Sequence, residues 1–218
     1  MRIICLLIVC VAVLAATGIE AIELALGPRA LTEALDVGLT RIDSIRTRFH
    51  QPYRLPVLRP PVDYAEIITP FRRVVLAAES RARAGDRLFG QREARATLGD
   101  TPEQVDVLVE LTFHPQNTFI GLPAYVVRLL PVQAATGPVE PRDFSHVPRF
   151  GPRINGASPA YPYAVAPPVA PGAQPLTGGA IIARLDGRIL DSNGLYDLVV
   201  LDGGKELARA RLDLRALR

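Results

Sequence analysis

Apolar residues recur along this chain with two distinct periods. In PRALTEALDVGLTRIDSIRTRF, residues 28 to 49, Leu31, Leu35, Leu39, Ile42, Ile45 and Phe49 return at three- and four-residue steps. That spacing predicts one amphipathic helix over 28–49 with these side chains on a buried stripe. Pro28 suits a first helical turn, and Gly38 weakens the helix by up to ~1 kcal/mol relative to alanine. A second helix is predicted over TPFRRVVLAAESRARAG, residues 69 to 85. Thr69 is its cap, Pro70 fits the first turn and Gly85 can close the end. Phe71, Val74, Val75, Ala78 and Ala82 form its buried stripe, with the arginines largely elsewhere on the wheel. Between the two helices, QPYRLPVLRPPVDY (51–64) carries four prolines and reads as an extended surface connector. LFGQREARATLG, beginning at Leu88, adds a short helix.

From Val105 the period becomes two. Val105, Val107, Val109, Leu111 and Phe113 alternate with Asp106, Leu108, Glu110, Thr112 and His114, which predicts a strand with one buried face. Pro115-Gln116-Asn117 reads as a turn, and a strand over 122–132 follows. Further strands are expected over 180–185, 195–201 and 206–214. They are punctuated by the turn signals Asp186-Gly187, Asn193-Gly194 and Asp202-Gly203-Gly204. ELARARLDLRAL has helix-favouring residues, but its alternation straight after a hairpin turn reads as strand. Residues 137–179 are rich in Pro and Gly. Phe144, Val147, Phe150, Tyr161, Tyr163 and Val165 are scattered through them, which predicts an irregular segment anchored on the sheet and covering an edge.

These elements predict an α+β fold. Two N-terminal amphipathic helices precede a small antiparallel β-sandwich-like sheet of about five strands, shut against the helices. Residues 22–100 form a helical segment with its Pro-rich connector, residues 101–218 a β-rich body, and 22–218 together one compact unit.

The first 21 residues stand apart. MRIICLLIVCVAVLAATGIEA places Arg2 before an apolar run from Ile3 to Ala16 and then small residues, the plan of a secretory signal peptide. An uncleaved anchor is the alternative, because the uncharged stretch reaches the short limit for a span. Cys5 and Cys10 both lie in this segment, so a processed chain has no cysteine and no disulfide. The localisation expected is therefore periplasmic or extracellular, or inner-membrane anchored if the segment stays.

Charge changes this picture little. The 24 arginines and single Lys205 accompany abundant Ala, Pro and Gly and a net charge of only +3, which reads as compositional bias. The densest basic run, Arg72 to Arg95, has helical spacing and reads as a solvated face; no nucleic-acid motif accompanies it.

Nor does a catalytic or metal set stand out. His50, His114 and His146 are far apart and read as separate surface histidines. His114 is a strand-end residue. Asp143-Phe144-Ser145-His146 holds the residue types of a hydrolase triad, but adjacent positions do not face one another, and a loop with Asp143 or Ser145 bonded to its own backbone is expected. Asp191-Ser192-Asn193-Gly194 with Asp197 has glycine fourth and Asp202 twelfth, unlike a calcium loop, and reads as an Asn-Gly hairpin. Gly178-Gly179 and Gly203-Gly204 lack the pattern of phosphate-binding loops. No catalytic, cofactor-binding or metal residues are assigned.

Thr69-Pro70-Phe71-Arg72-Arg73-Val74-Val75, ahead of a strand block and the tail LDGRILDSNGLYDLVVLDGGKELAR, resembles a family of exported bacterial proteins. Those proteins share a signal peptide, a Thr-Pro-Phe-x-Arg-Val helix and C-terminal β structure. The resemblance implies export and an α+β build, and carries no activity. The expected function is a non-enzymatic binding or structural role at the cell envelope, through an unknown protein or envelope component. Nucleic acid is not an expected partner, and the membrane enters only through an uncleaved N-terminal segment. The alternatives are an exported enzyme, such as a hydrolase, with a site assembled from distant residues, or a membrane-tethered accessory protein.

Overall fold

Thr40 divides the helix expected over 28–49. Its backbone is extended (φ −59°, ψ 142°), so α1 runs Pro28–Leu39 and α2 restarts at Asp43–His50. The Thr40 hydroxyl accepts from the Ile42 amide at 3.3 Å, a local bond that competes with continued helix. The break turns α2 away from the stripe. Leu39, Ile42 and Ile45, expected in the core, are 40, 55 and 44 % exposed, and α2 buries no residue at all. The computed structural model describes residues 22–86, 88–133, 137–151 and 174–218; the N-terminal 21 residues and Tyr161, Tyr163 and Val165 lie outside these.

α3 (Pro70–Arg83) starts at the Thr69 cap, whose side chain accepts from the Arg72 amide at 3.1 Å. α4 follows at Gln91–Leu98. α1, α3 and α4 share a core of Leu31, Leu35, Phe71, Val75, Ala78 and Leu98, among others. Gly38 lets α1 and α3 approach closely. A Cβ there would lie 2.6 Å from both the Ala78 Cβ and the Val75 carbonyl oxygen.

The expected connector is a hairpin instead: β1 (Arg54–Arg59) pairs antiparallel with β2 (Val62–Ile68). Its prolines are compatible with this because β1 is an edge strand, where a missing donor costs little, and Pro60-Pro61 (a cis bond) sits in the turn. Six more strands follow: β3 (Gln104–Thr112), β4 (Val126–Pro131), β5 (Asp143–Phe150), β6 (Leu176–Asp186), β7 (Leu195–Asp202) and β8 (Lys205–Asp213). They form a five-stranded sheet in the order β1-β2-β3-β6-β5 and a three-stranded sheet in the order β4-β7-β8. The described residues thus hold more strands than the roughly five expected from turn spacing.

The fold is α+β and rich in sheet. The alternation in β3 is as expected: Val105, Val107, Val109 and Leu111 are buried. What covers them is not helix. Their core also contains Ile181 and Leu185 of β6, Val127 and Leu129 of β4, and Leu198 and Leu212 of β7 and β8. Two sheets therefore close on each other as a sandwich, and the helices keep a separate core. Phe49 packs against both.

β5 lies inside the Pro/Gly-rich stretch expected to be irregular, and it does flank the sheet, as the edge strand beside β6. Phe144 packs on the core, whereas Val147 and Phe150 are exposed rather than anchored. Asp202-Gly203-Gly204 is the β7–β8 hairpin, with φ of 53° and 88° at the glycines. Asn193-Gly194 is a turn but not a hairpin, because it carries the chain from one sheet to the other. No helix among the described residues is long and apolar enough to cross a membrane.

Gly38→Ala sets two effects against each other. Helix propensity favours alanine by about 1 kcal/mol. The 2.6 Å approach to main chain on α3 forces the helices apart, and overpacking costs about 1–3 kcal/mol. We expect a net loss of stability, read as a lower urea midpoint; a higher midpoint would show that α1 and α3 do not meet at Gly38.

Candidate functional site

Among the described residues the buried polar or charged side chains are Thr69, Arg72 and Glu79, all on α3 or its cap. Arg72 and Glu79 are seven positions apart, so they share a helix face two turns from each other. His50, at the end of α2, reaches between them. Its Nε2 lies 2.6 Å from Glu79 Oε1, and Arg72 Nε donates to its Nδ1 at 3.4 Å. Both contacts are satisfied together by the tautomer that carries its proton on Nε2 and donates it to Glu79.

Arg72 is 3 % exposed, and each of its three nitrogens donates a hydrogen bond. Besides His50, one Nη donates to the Ile67 carbonyl at 2.7 Å and the other to Glu66 Oε2 at 2.8 Å. The Tyr53 ring lies 5.0 Å from its guanidinium. A buried guanidinium needs all its donors matched, because each unmatched one carries the full desolvation cost. The β1–β2 hairpin supplies two of these partners. That hairpin, which takes the place of the connector expected over 51–64, is therefore half of the site. Arg73, next on the helix, is also drawn in: it donates to Asp106 of β3 at 3.1 Å and to the Gln104 carbonyl at 3.0 Å. The expected solvated arginine face thus starts only after the first turn of α3.

The base of this network is completed by Tyr53 and Thr69. The Tyr53 hydroxyl donates to the Arg218 main-chain oxygen at 3.0 Å and accepts from the Arg218 amide at 3.1 Å. The Thr69 hydroxyl donates to the same oxygen. Burial pushes the Tyr53 phenol above its ordinary pKa, against the opposing pull of these hydrogen bonds and of Arg72 and Arg218.

Over the network opens a cleft of about 630 Å³. α2 forms one wall with Arg46 and Thr47, β1 another with Arg54 and Pro56, and α3 the floor with Arg72 and Glu79. Arg83 leans over the rim and donates to Glu79 Oε2 at 3.2 Å. The volume suits a small ligand. The described lining residues include no serine or cysteine, and no cluster of His, Cys, Asp and Glu able to hold a metal occurs among the described residues.

His50, expected as a separate surface histidine, is the half-buried centre of this cleft. The other histidines stay apart from it. His114 sits at the turn after β3, where its Nδ1 accepts from the Gln116 amide at 3.1 Å. His146 is exposed on the edge strand β5. Asp143, Ser145 and His146 assemble no triad. Successive strand residues face opposite sides, and Asp143 pairs with Arg184 rather than with its own backbone. Asp191 accepts from the Asn193 amide at 3.0 Å, and Asp197 turns away to Arg209 and Arg211, each at 2.8 Å, so no calcium loop forms.

Arg72, Glu79 and Glu66 do not stand out in the sequence as a site. A signal for two of them is present, since Arg72, Val75 and Glu79 stand at i, i+3 and i+7 and place a charged pair on the face of a buried valine. No family model, curated protein or solved structure matches the chain.

Removing Arg72 strands Glu66 and the polar groups around it. Arg72→Met is expected to cost about 3 kcal/mol in chemical denaturation, typical of breaking a buried pair. In a chain already carrying Arg72→Met, Glu66→Gln is expected to cost less than Glu66→Gln alone, a coupling that a double-mutant cycle reads. Additive losses would show that the two side chains do not meet.

Proposed function

We propose that this chain is an exported, non-enzymatic protein that binds a component of the cell envelope through the cleft between α2, the β1–β2 hairpin and α3. Export is supported by the charge and apolar pattern of residues 1–21 and by a remainder free of cysteine. Binding is supported by one observation above all: the cleft floor is chemically saturated. Both ring nitrogens of His50 are engaged, Arg72 is enclosed by its partners, and Glu79 bonds His50 with one oxygen and Arg83 with the other. A general base needs a nitrogen or oxygen free to take a proton from substrate. A saturated floor instead gives a rigid, charged receptor surface at little further ordering cost.

The reading of an exported hydrolase keeps one observation of its own, a histidine held by a buried carboxylate inside a concave site. Two measurements separate the readings. Hydrolysis of p-nitrophenyl esters should be no faster with wild type than with His50→Gln; a rate present in wild type and lost in the variant would establish catalysis. In pull-down from envelope extracts, wild type should recover a component that Gln51→Trp, which fills the cleft mouth, does not. Equal recovery, or none from either, contradicts the binding role. Mass spectrometry of the exported chain should find a mature N-terminus near Ile19 or Ile22, and an intact Met1 would point to the membrane-tethered form.

A further inference from the structure

We infer that the cleft takes a small organic carboxylate, gripped by Arg54; this rests on the binding role proposed above. Arg54 differs from the other arginines of the cleft. Arg72 is enclosed, Arg83 is tied to Glu79 and Arg46 to Asp43. The residue opposite Arg54 in the β1–β2 register is Glu66, which turns away to Arg72. Among the described residues the Arg54 side chain has no hydrogen bond and no ion pair; its one contact is with the Tyr64 ring.

It is nevertheless held in place. Its guanidinium carbon lies 3.6 Å from the centroid of the Tyr64 ring, a stacked cation–π geometry. Stacking uses the face of the guanidinium and leaves the in-plane N–H groups of its edge free. Those donors form a fork matched to the two oxygens of a carboxylate. Part of the ordering cost of binding is thus met before the ligand arrives.

Charge limits what the fork can hold. The cleft lining contains Arg46, Arg54, Arg72 and Arg83 against Asp43, Glu66 and Glu79, leaving one excess positive charge with His50 neutral. A single carboxylate neutralises it. A phosphate dianion overshoots, and would stand near Glu66 and Glu79 with no second unpaired guanidinium to offset them. The side chains of Thr47 and Gln51 at the same cleft give hydroxyl groups on the ligand something to bond. A hydroxylated monocarboxylate meets each of these conditions.

Isothermal titration at low ionic strength tests this with three probes: gluconate, glucose as its neutral analogue of similar size, and inorganic phosphate. Gluconate should bind wild type, with glucose and phosphate weaker by about tenfold or more. Arg54→Gln should weaken gluconate by about tenfold or more. Arg54→Lys, which keeps the charge but not the fork, should fall between. Arg92→Gln, on the exposed surface of α4, should bind as wild type does. Circular dichroism confirms that each variant is folded. If gluconate fails to bind, or binds Arg54→Gln as well as wild type, the carboxylate subsite is wrong whatever the pull-down gives. If glucose binds equally and Gln51→Trp abolishes it, the carboxylate subsite is overturned and the cleft is a binding site for a neutral ligand. A negative pull-down with gluconate binding intact overturns the envelope role alone.

Discussion

The molecule is organised around a positive charge almost wholly withdrawn from water. Arg72 stands in the first turn of α3, between the helical core and the sandwich. Burying it unpaired would cost several kcal/mol, so its neighbours must supply matched acceptors or the helix cannot sit there. Glu66 and the Ile67 carbonyl come from β2 and the His50 ring from α2, while the Tyr53 face lies beside them. Satisfying one guanidinium thus fixes two helices and a hairpin relative to one another. The cleft is the space left above that arrangement.

A buried ion network is a poor source of net stability compared with packed apolar side chains. Here the stability resides in two apolar cores, one in the sandwich and one among α1, α3 and α4. The network contributes direction. Apolar surfaces can slide over one another at modest cost, but a guanidinium with fixed acceptors cannot be shifted by a residue without stranding a donor. Arg73 on Asp106, and Thr69 and Tyr53 on the Arg218 main chain, add bonds of the same kind across the boundary. Local geometry extends this ordering to the rim, where Arg54 is held against Tyr64.

Legibility in the sequence followed the range of the interaction. The alternation of β3, the cap and first turn of α3, and the β7–β8 turn depend on neighbours a few residues away, and each was readable. The β1–β2 hairpin was not, because its prolines argue locally against pairing and only its position at a sheet edge makes them harmless. The break at Thr40 was hidden for a related reason. The apolar stripe continues through Ile42 and Ile45, but no other element arrives to cover it. A sandwich-like sheet is legible in the strand alternation, but that a second sheet rather than the helices covers the β3 face is not, since a buried strand face does not declare what covers it. Of the site, His50 could be named but not placed. Its partners come from α3, up to 29 positions away, and their convergence depends on the same hairpin.

The arrangement as a whole requires the Arg72 guanidinium to be buried and held at all three of its nitrogens. Side-chain ¹⁵N–¹H NMR of arginine, with the Arg72 signals assigned through Arg72→Lys, addresses it most directly. Arg72 is expected to show separate, unaveraged Nη proton resonances that exchange with solvent far more slowly than those of the exposed Arg29 and Arg92. A guanidinium at position 72 that rotates freely and exchanges as fast as those two would contradict it.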